Sequence, residues 1–174
     1  MHMTDHRTEL PNDLRFLIII TSDSIISKKS QGEPFMDISG EVAAALIAGS
    51  GFKVTDKVFL PNNTDAIRDE VRKSASSGSA DAIVISGGTG IGCKDVTIEA
   101  VKPLLEKELP GFGELFRRIS CDSVGTSAIA SRALAGVVGN CLIFTLPGSP
   151  EAVKLALQKI ILPESPHLLK MIRG

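Results

Sequence analysis

The chain has 174 residues, 43% of them apolar, which is enough for one domain with a real core. A formal net charge of −1, seven Phe and no Trp or Tyr argue against nucleic acid as a partner, because both an electrostatic footprint and a stacking platform are missing. The three cysteines, Cys93, Cys121 and Cys141, are odd in number and widely spaced, so a disulfide framework and a structural zinc site are not expected and a reducing compartment fits.

Residues 1–14 read as a loose polar tail without the apolar stretch of a signal peptide, and residues 15–174 as the domain. No apolar run approaches the ~20 residues that span a bilayer, so no membrane partner and a cytoplasmic location are expected. His2 and His6 in the tail and His167 near the end are too scattered for a histidine metal or base site. The apolar run 16–20 predicts a strand buried on both faces. Residues 21–35 read as a polar loop. Asp37 can cap a helix to about Ala48, with Ile38, Val42, Ala45 and Leu46 on its apolar face. Residues 52–60 read as a second strand closed by Pro61. Asn63 or Thr64 caps a helix carrying Ile67, Val71 and Ala75, which Gly78 stops. Residues 81–86 are a third buried strand.

A glycine turn follows, then a helix over 96–109 that Pro103 must kink or split. Pro110-Gly111 reads as a break before an amphipathic helix marked by Phe112, Leu115, Phe116 and Ile119. The small residues of 127–137 have no clear period. Residues 141–146 form a fourth buried strand. Ser149, Pro150 and Glu151 supply a cap, a first-turn proline and a first-turn acid for a helix to about Leu162. Pro163 and Pro166 then break the chain before a short helix over 168–172.

This alternation predicts a single α/β domain, a mostly parallel sheet covered by helices on both faces. Ligands of such sheets bind beyond the carboxyl ends of the strands. Three strands run there into unusual loops: Thr21-Ser22-Asp23-Ser24, Ser86-Gly87-Gly88-Thr89-Gly90 and Pro147-Gly148-Ser149-Pro150. Parallel strands would crowd all three at one edge.

Gly87, Gly88, Gly90 and Gly92 fall within six residues, after a buried strand and before a helix. Their backbone can turn sharply and aim N–H groups at phosphate oxygens. Neither common phosphate motif fits. Cys93 stands where a P-loop requires Lys, and where a dinucleotide fingerprint requires its third glycine. Asp95 is either the cap of the next helix or a Mg²⁺ ligand beside the phosphates. Lys94 and Arg132 are candidate phosphate neutralisers. The turn from Pro147 to Pro150 can cap its helix or hold an anion, and Thr21 to Ser24 can be a hydrogen-bonded turn.

Taken together, these blocks resemble the MoaB/MogA family of molybdenum cofactor biosynthesis proteins. The carriers, in order, are Thr21-Ser22-Asp23, Asp37-Ile38-Ser39-Gly40, Gly87-Gly88-Thr89-Gly90 with Asp95-Val96-Thr97, Pro110-Gly111-Phe112-Gly113-Glu114, Ser131-Arg132-Ala133 and Leu146-Pro147-Gly148-Ser149-Pro150. The resemblance implies a three-layer α/β/α fold and a homo-oligomer, trimer or hexamer. It implies adenylyl transfer from Mg-ATP to the terminal phosphate of molybdopterin, with pyrophosphate released, and a downstream molybdenum-insertion protein as a further partner. It makes Asp95 the catalytic, metal-associated acid. Ser22, Asp23, Gly87, Gly88, Thr89, Gly90, Glu114, Ser131, Arg132, Pro147, Gly148, Ser149 and Pro150 become the substrate and nucleotide surroundings. One position departs: active members carry an acid after the proline that ends the second strand, and here Asn62 follows Pro61. Asn62 is then a metal ligand without charge, and the alternative is a molybdopterin carrier without efficient chemistry. A flavodoxin-like flavin binder is a third reading, opposed by the lack of Trp and Tyr.

Overall fold

The apolar runs of the sequence become the middle of a six-stranded sheet in the computed structural model, which describes residues 10–174. The tail expected over residues 1–9, with His2 and His6, lies outside the described residues. Leu14, at the other end of that expected tail, is 1% exposed and belongs to the core. The strands are β1 (Arg15–Thr21), β2 (Lys53–Leu60), β3 (Ala82–Ser86), β4 (Lys107–Glu108), β5 (Leu134–Val138) and β6 (Cys141–Leu146), in spatial order β2-β1-β3-β6-β5-β4. The first four in that order are mutually parallel; β5 runs antiparallel to both its neighbours.

Two cores explain the uninterrupted apolar runs. Phe16, Ile18, Ile20, Val84 and Phe144 face one core, and Leu17, Ile19, Ile83, Ile85 and Ile143 face the other. Alternate residues of a strand point to opposite faces, so both sets must be apolar. The first core is covered by α2 (Ile38–Gly49), α5 (Pro110–Val124), α6 (Pro150–Ala156) and α7 (Leu162–Arg173). The second is covered by α3 (Thr64–Ser76) and α4 (Thr97–Val101). This is the expected three-layer α/β/α arrangement. Each fully buried Ile or Phe contributes about 1.5–3 kcal/mol of transfer free energy.

Several local expectations are corrected. The polar loop over 21–35 contains α1 (Asp23–Ser30), which buries no residue. Its signals are terminal instead: Ser22 caps it by accepting from the Ile25 N–H, and Asp23 and Lys28-Lys29 suit the two ends of its dipole. On α2 the buried side is Ser39, Gly40, Ala43 and Ile47, while Ile38 is 53% exposed. The helix expected over 96–109 stops at Pro103, and Lys107–Glu108 pairs with β5 as an edge strand. Pro110 opens α5 rather than breaking the chain, since a first-turn proline forfeits only an orphan N–H. Residues 127–137 divide between a 3₁₀ segment, Gly125–Ala130, and β5.

Neither Pro163 nor Pro166 interrupts the last helical segment. Between α6 and α7 lies a π-helical turn, Leu157–Ile161. A π turn gives room for the proline ring that an ordinary turn lacks. The Ser165 hydroxyl donates to the Ile161 carbonyl at 2.6 Å.

Cys141 is buried at the start of β6, and desolvation, reinforced by the nearby Asp81 carboxylate, pushes its thiol up to about 12. Cys93 and Cys121 are exposed. A chromogenic disulfide reagent at pH 8 should therefore titrate two thiols in the folded protein and release the third only with denaturant. Prompt reaction of all three would contradict the packing around Cys141.

Candidate functional site

The carboxyl ends of β1, β3 and β6 are adjacent, so their loops meet as expected. The Gly87 N–H donates to the Leu146 carbonyl at 3.0 Å, and the Ser86 hydroxyl to the Pro147 carbonyl at 3.3 Å. The Thr21 hydroxyl reaches the Ser86 carbonyl at 3.4 Å. From α2, the Ser39 hydroxyl donates to the Gly148 carbonyl at 2.7 Å, which gives the Asp37-Ile38-Ser39-Gly40 block a mechanical role.

Glycine is required at the heart of the turn. Gly87 and Gly88 have φ of 105° and 63°, a region that side chains disfavour. A β-carbon on Gly88 would fall 2.5 Å from Thr97 Oγ1 and 2.8 Å from Asn62 Oδ1. The Thr97 hydroxyl donates to the Gly87 carbonyl at 2.8 Å, and the Thr97 N–H to the Gly88 carbonyl at 2.9 Å. With those carbonyls turned into the protein, the N–H groups of Gly88, Thr89 and Gly90 have no acceptor among the described residues. Gly88→Ala should cost about 1–3 kcal/mol from the backbone conformation and the clash. A chemical denaturation curve checks this, and an unchanged midpoint would contradict it.

Asp95 is not a helix cap. The capping position of α4 is Val96, with no side-chain bond to the helix. Asp95 Oδ2 instead accepts from the Gly92 N–H at 2.8 Å and lies against Gly90 and Gly92. Its carboxylate is thus folded back onto the glycine loop. Arg132 braces the same loop from outside. Its Nε donates to the Gly90 carbonyl at 2.9 Å, and its Nη2 to the Asp95 carbonyl at 3.2 Å. Its Nη1 pairs with Glu99 at 2.5 Å. That hydrogen bond raises the Arg132 pKa and lowers the Glu99 pKa. The guanidinium is therefore a clamp on the loop's carbonyls, and its donors are engaged there.

Asn62 lies on the other side of the turn. Its backbone N–H donates to Asp23 Oδ1 at 2.8 Å, which ties Asp23 to the end of β2. Its neighbour Asn63 caps α3 by accepting from the Ala66 N–H at 2.9 Å. Asn62 Oδ1 is buried against Gly88 without a hydrogen-bond donor. The Asp95 carboxylate, which lines the cavity, is an oxygen donor of the kind that suits Mg²⁺, whereas Asn62 Oδ1 is an orphaned acceptor buried outside the lining. Among the described residues no group of three or more His, Cys, Asp or Glu could hold a metal ion, so phosphate oxygens must complete any such site.

The loops open into a cavity of about 660 Å³. Gly87, Gly88, Thr89, Gly90, Asp95, Ser131, Pro147, Gly148 and Ser149 line it, so nine of the expected site residues come together. Ser22, Asp23, Asn62, Glu114, Arg132 and Pro150 do not line it. Ser22 caps α1, Glu114 is exposed on α5, and Pro150 is the first residue of α6. Ser149 caps α6, accepting from the Ala152 N–H at 3.2 Å. The far wall escaped sequence reasoning. It includes Phe116, Ser120 and Val124 on α5, Ala128 in the 3₁₀ segment, Lys154 and Leu155 on α6, and Gln158 in the π turn that follows. The helical spacing of Glu151, Lys154, Leu155 and Gln158 was the available signal.

Residues 17–167 match a protein family described as "Probable molybdopterin binding domain". The chain is 38% identical to Molybdenum cofactor biosynthesis protein B of Bacillus subtilis, over 99% of this chain and 98% of that protein. It is 48% identical to the protein of the same name from Staphylococcus aureus, over 76% of this chain and 80% of that protein. Its fold is similar to the crystal structure of the tungsten cofactor synthesizing protein MoaB from Pyrococcus furiosus. The TM-score is 0.82 at 36% identity, covering 94% of this chain and 99% of the other.

Proposed function

The chain belongs to the molybdopterin-binding domain family of molybdenum cofactor biosynthesis, and on that premise we propose that it adenylylates molybdopterin. A terminal phosphate oxygen of molybdopterin attacks the α-phosphorus of ATP. The bond from that phosphorus to the bridging oxygen of the β-phosphate breaks, and pyrophosphate leaves with the electron pair.

The observation that carries this reading is the cavity lined by Gly88, Thr89 and Gly90, whose N–H groups have no acceptor among the described residues, with Asp95 also in the lining. Backbone dipoles fixed before any ligand arrives could serve phosphate charge there. Among the described residues no His or Cys lines the cavity. None is needed, because the attacking phosphate oxygen is already ionised at neutral pH. What remains is to align two phosphates and offset their charge, which is the main work of phosphoryl-group transfer. Asp95 is the residue that would hold Mg²⁺, which would supply charge neutralisation when bound; Asn62, outside the cavity lining, is not placed to share it. Phe116, Val124 and Leu155 add apolar surface to the far wall of the cavity.

The test is pyrophosphate release from Mg-ATP with and without molybdopterin. Release that requires molybdopterin is expected, and its absence would count against the reading. A carrier without efficient chemistry is the second reading, and the uncharged Asn62 favours it. Asn62→Asp discriminates the two. A large gain of activity over an inactive native protein supports the carrier, and an active native protein with no gain removes it.

A further inference from the structure

We infer that Lys154 is the counter-cation for the phosphate monoester of the acceptor, an inference that rests on the adenylylation reading and assigns a residue to it. Among the described residues lining the cavity, Lys154 is the one with a cationic side chain. The other basic candidates near the turn are not available to a ligand there. Arg132 is fixed by the carbonyls of Thr89, Gly90 and Asp95 and by Glu99, and Lys94 does not line the cavity.

The placement of Lys154 follows from α6. That helix begins at Pro150, directly after the loop that packs on the glycine turn, where a β-carbon on Gly148 would stand 3.4 Å from the Gly87 Cα. Lys154 lies one helical turn further on, about 6 Å along the axis. Ala152, Leu155 and Gln158 share its cavity-facing side. Glu151, one turn earlier, also lines the cavity, yet no ion pair joins it to Lys154. Among the described residues the Lys154 ammonium has no carboxylate partner, whereas Lys57, Lys73 and Lys102 each have one.

The chemistry identifies which phosphate it serves. A nucleotide triphosphate carries a divalent cation with it. The acceptor's phosphate monoester brings no metal, and it must come within bonding distance of the polyanionic nucleotide. Asp95 and Glu151 make the cavity's own carboxylate charge unfavourable to such a group. A compact ammonium on a flexible stem offsets that repulsion without demanding bidentate geometry. The three carbons next to its head can lie along Leu155 and the apolar wall.

Three proteins test this: native, Lys154→Ala and Lys154→Arg. Molybdopterin binding is followed by pterin fluorescence without nucleotide, and KM for molybdopterin and for ATP is measured separately. Lys154→Ala should weaken molybdopterin binding at least tenfold and raise its KM to match. KM for ATP should stay within twofold, and Lys154→Arg should recover most of the loss. Salt should weaken the native binding more steeply than that of Lys154→Ala. Equal molybdopterin affinity in native and Lys154→Ala proteins would overturn the assignment, as would a change confined to KM for ATP. A native protein that binds no molybdopterin at all would overturn the adenylylation reading itself.

Discussion

Asp95→Asn should lower molybdopterin-dependent adenylylation about 100- to 1,000-fold, the usual loss when one fixed electrostatic contributor to a transition state is removed. The substitution is nearly isosteric. An asparagine carbonyl can still accept from the Gly92 N–H, the one hydrogen bond that the Asp95 side chain makes. The glycine loop is also held independently by Arg132 and Thr97. The variant should therefore unfold at nearly the native temperature and keep its affinity for molybdopterin, while its requirement for Mg²⁺ rises. Comparing kcat, molybdopterin Kd and the thermal midpoint separates these effects. Turnover within threefold of native would remove Asp95 from the mechanism, and a collapse of the midpoint would make it a structural residue.

The second large effect lies at the opposite end of the strands. Asp81, 5% exposed, precedes β3 and binds two arginines. Oδ2 accepts from the Arg15 N–H at 2.8 Å and from Arg15 Nε at 3.1 Å, and Oδ1 accepts from Arg15 Nη2 at 3.0 Å and from Arg173 Nη2 at 2.5 Å. The carboxylate thereby fastens the last turn of α7 to the start of β1. Asp81→Ala leaves a part-buried backbone N–H without its acceptor and two arginines without their partner. Loss of a buried pair costs about 3–5 kcal/mol, but both arginines are near 40% exposed, so water recovers part of it. The expected loss is about 2–3 kcal/mol, a fall in thermal midpoint of roughly 5–10 °C.

That stabilisation has a definite pH dependence. Burial alone would raise the Asp81 pKa, but the hydrogen bonds from Arg15 and Arg173 outweigh it and hold the carboxyl below its ordinary value. A group with a lowered folded pKa contributes fully above its unfolded pKa, about 3.9, and loses the contribution as pH falls through the folded value. The gap in stability between native protein and Asp81→Ala should be constant near neutrality and close below about pH 4. A gap that widened in acid would contradict the sign.

The parts of the fold that were legible in the sequence are those whose burial leaves a pattern. Strands β1, β3 and β6 carry uninterrupted apolar runs, 16–20, 82–85 and 141–144, because each feeds two cores. The capping residues Asp37, Asn63 and Ser149 perform as their side-chain chemistry suggests. What stayed hidden has no such pattern. Helix α1 buries nothing, β4 has two exposed residues, and β5 is built from Leu-Ala-Gly-Val-Val, whose small residues suit several conformations. Pro163 misled because it sits in the first turn of α7, directly after a π turn, and Pro166 is carried inside that helix.

The candidate site divides the same way. Four glycines in six residues have few alternatives to a tight, ligand-facing turn, and that turn lies in the cavity wall. Arg132 read as a free cation, since nothing in one dimension shows that Gly90 and Asp95 turn their carbonyls toward it. Lys154 drew no notice in the sequence because its neighbours across the cavity, on α5, are thirty or more residues earlier in the chain. Asn62 was visible as a departure, but its orphaned Oδ1 depends on contact with Gly88, a residue of another strand's loop.

The central claim is that the cavity beside the glycine turn joins a nucleotide's α-phosphorus to a pterin's phosphate. Its most direct test is to incubate the native protein with molybdopterin, Mg²⁺ and ATP labelled at the α-phosphate. The label should move onto the pterin, with one pyrophosphate formed for each label transferred. Label that stays in ATP, or that appears as free AMP at the same rate without molybdopterin, would contradict it.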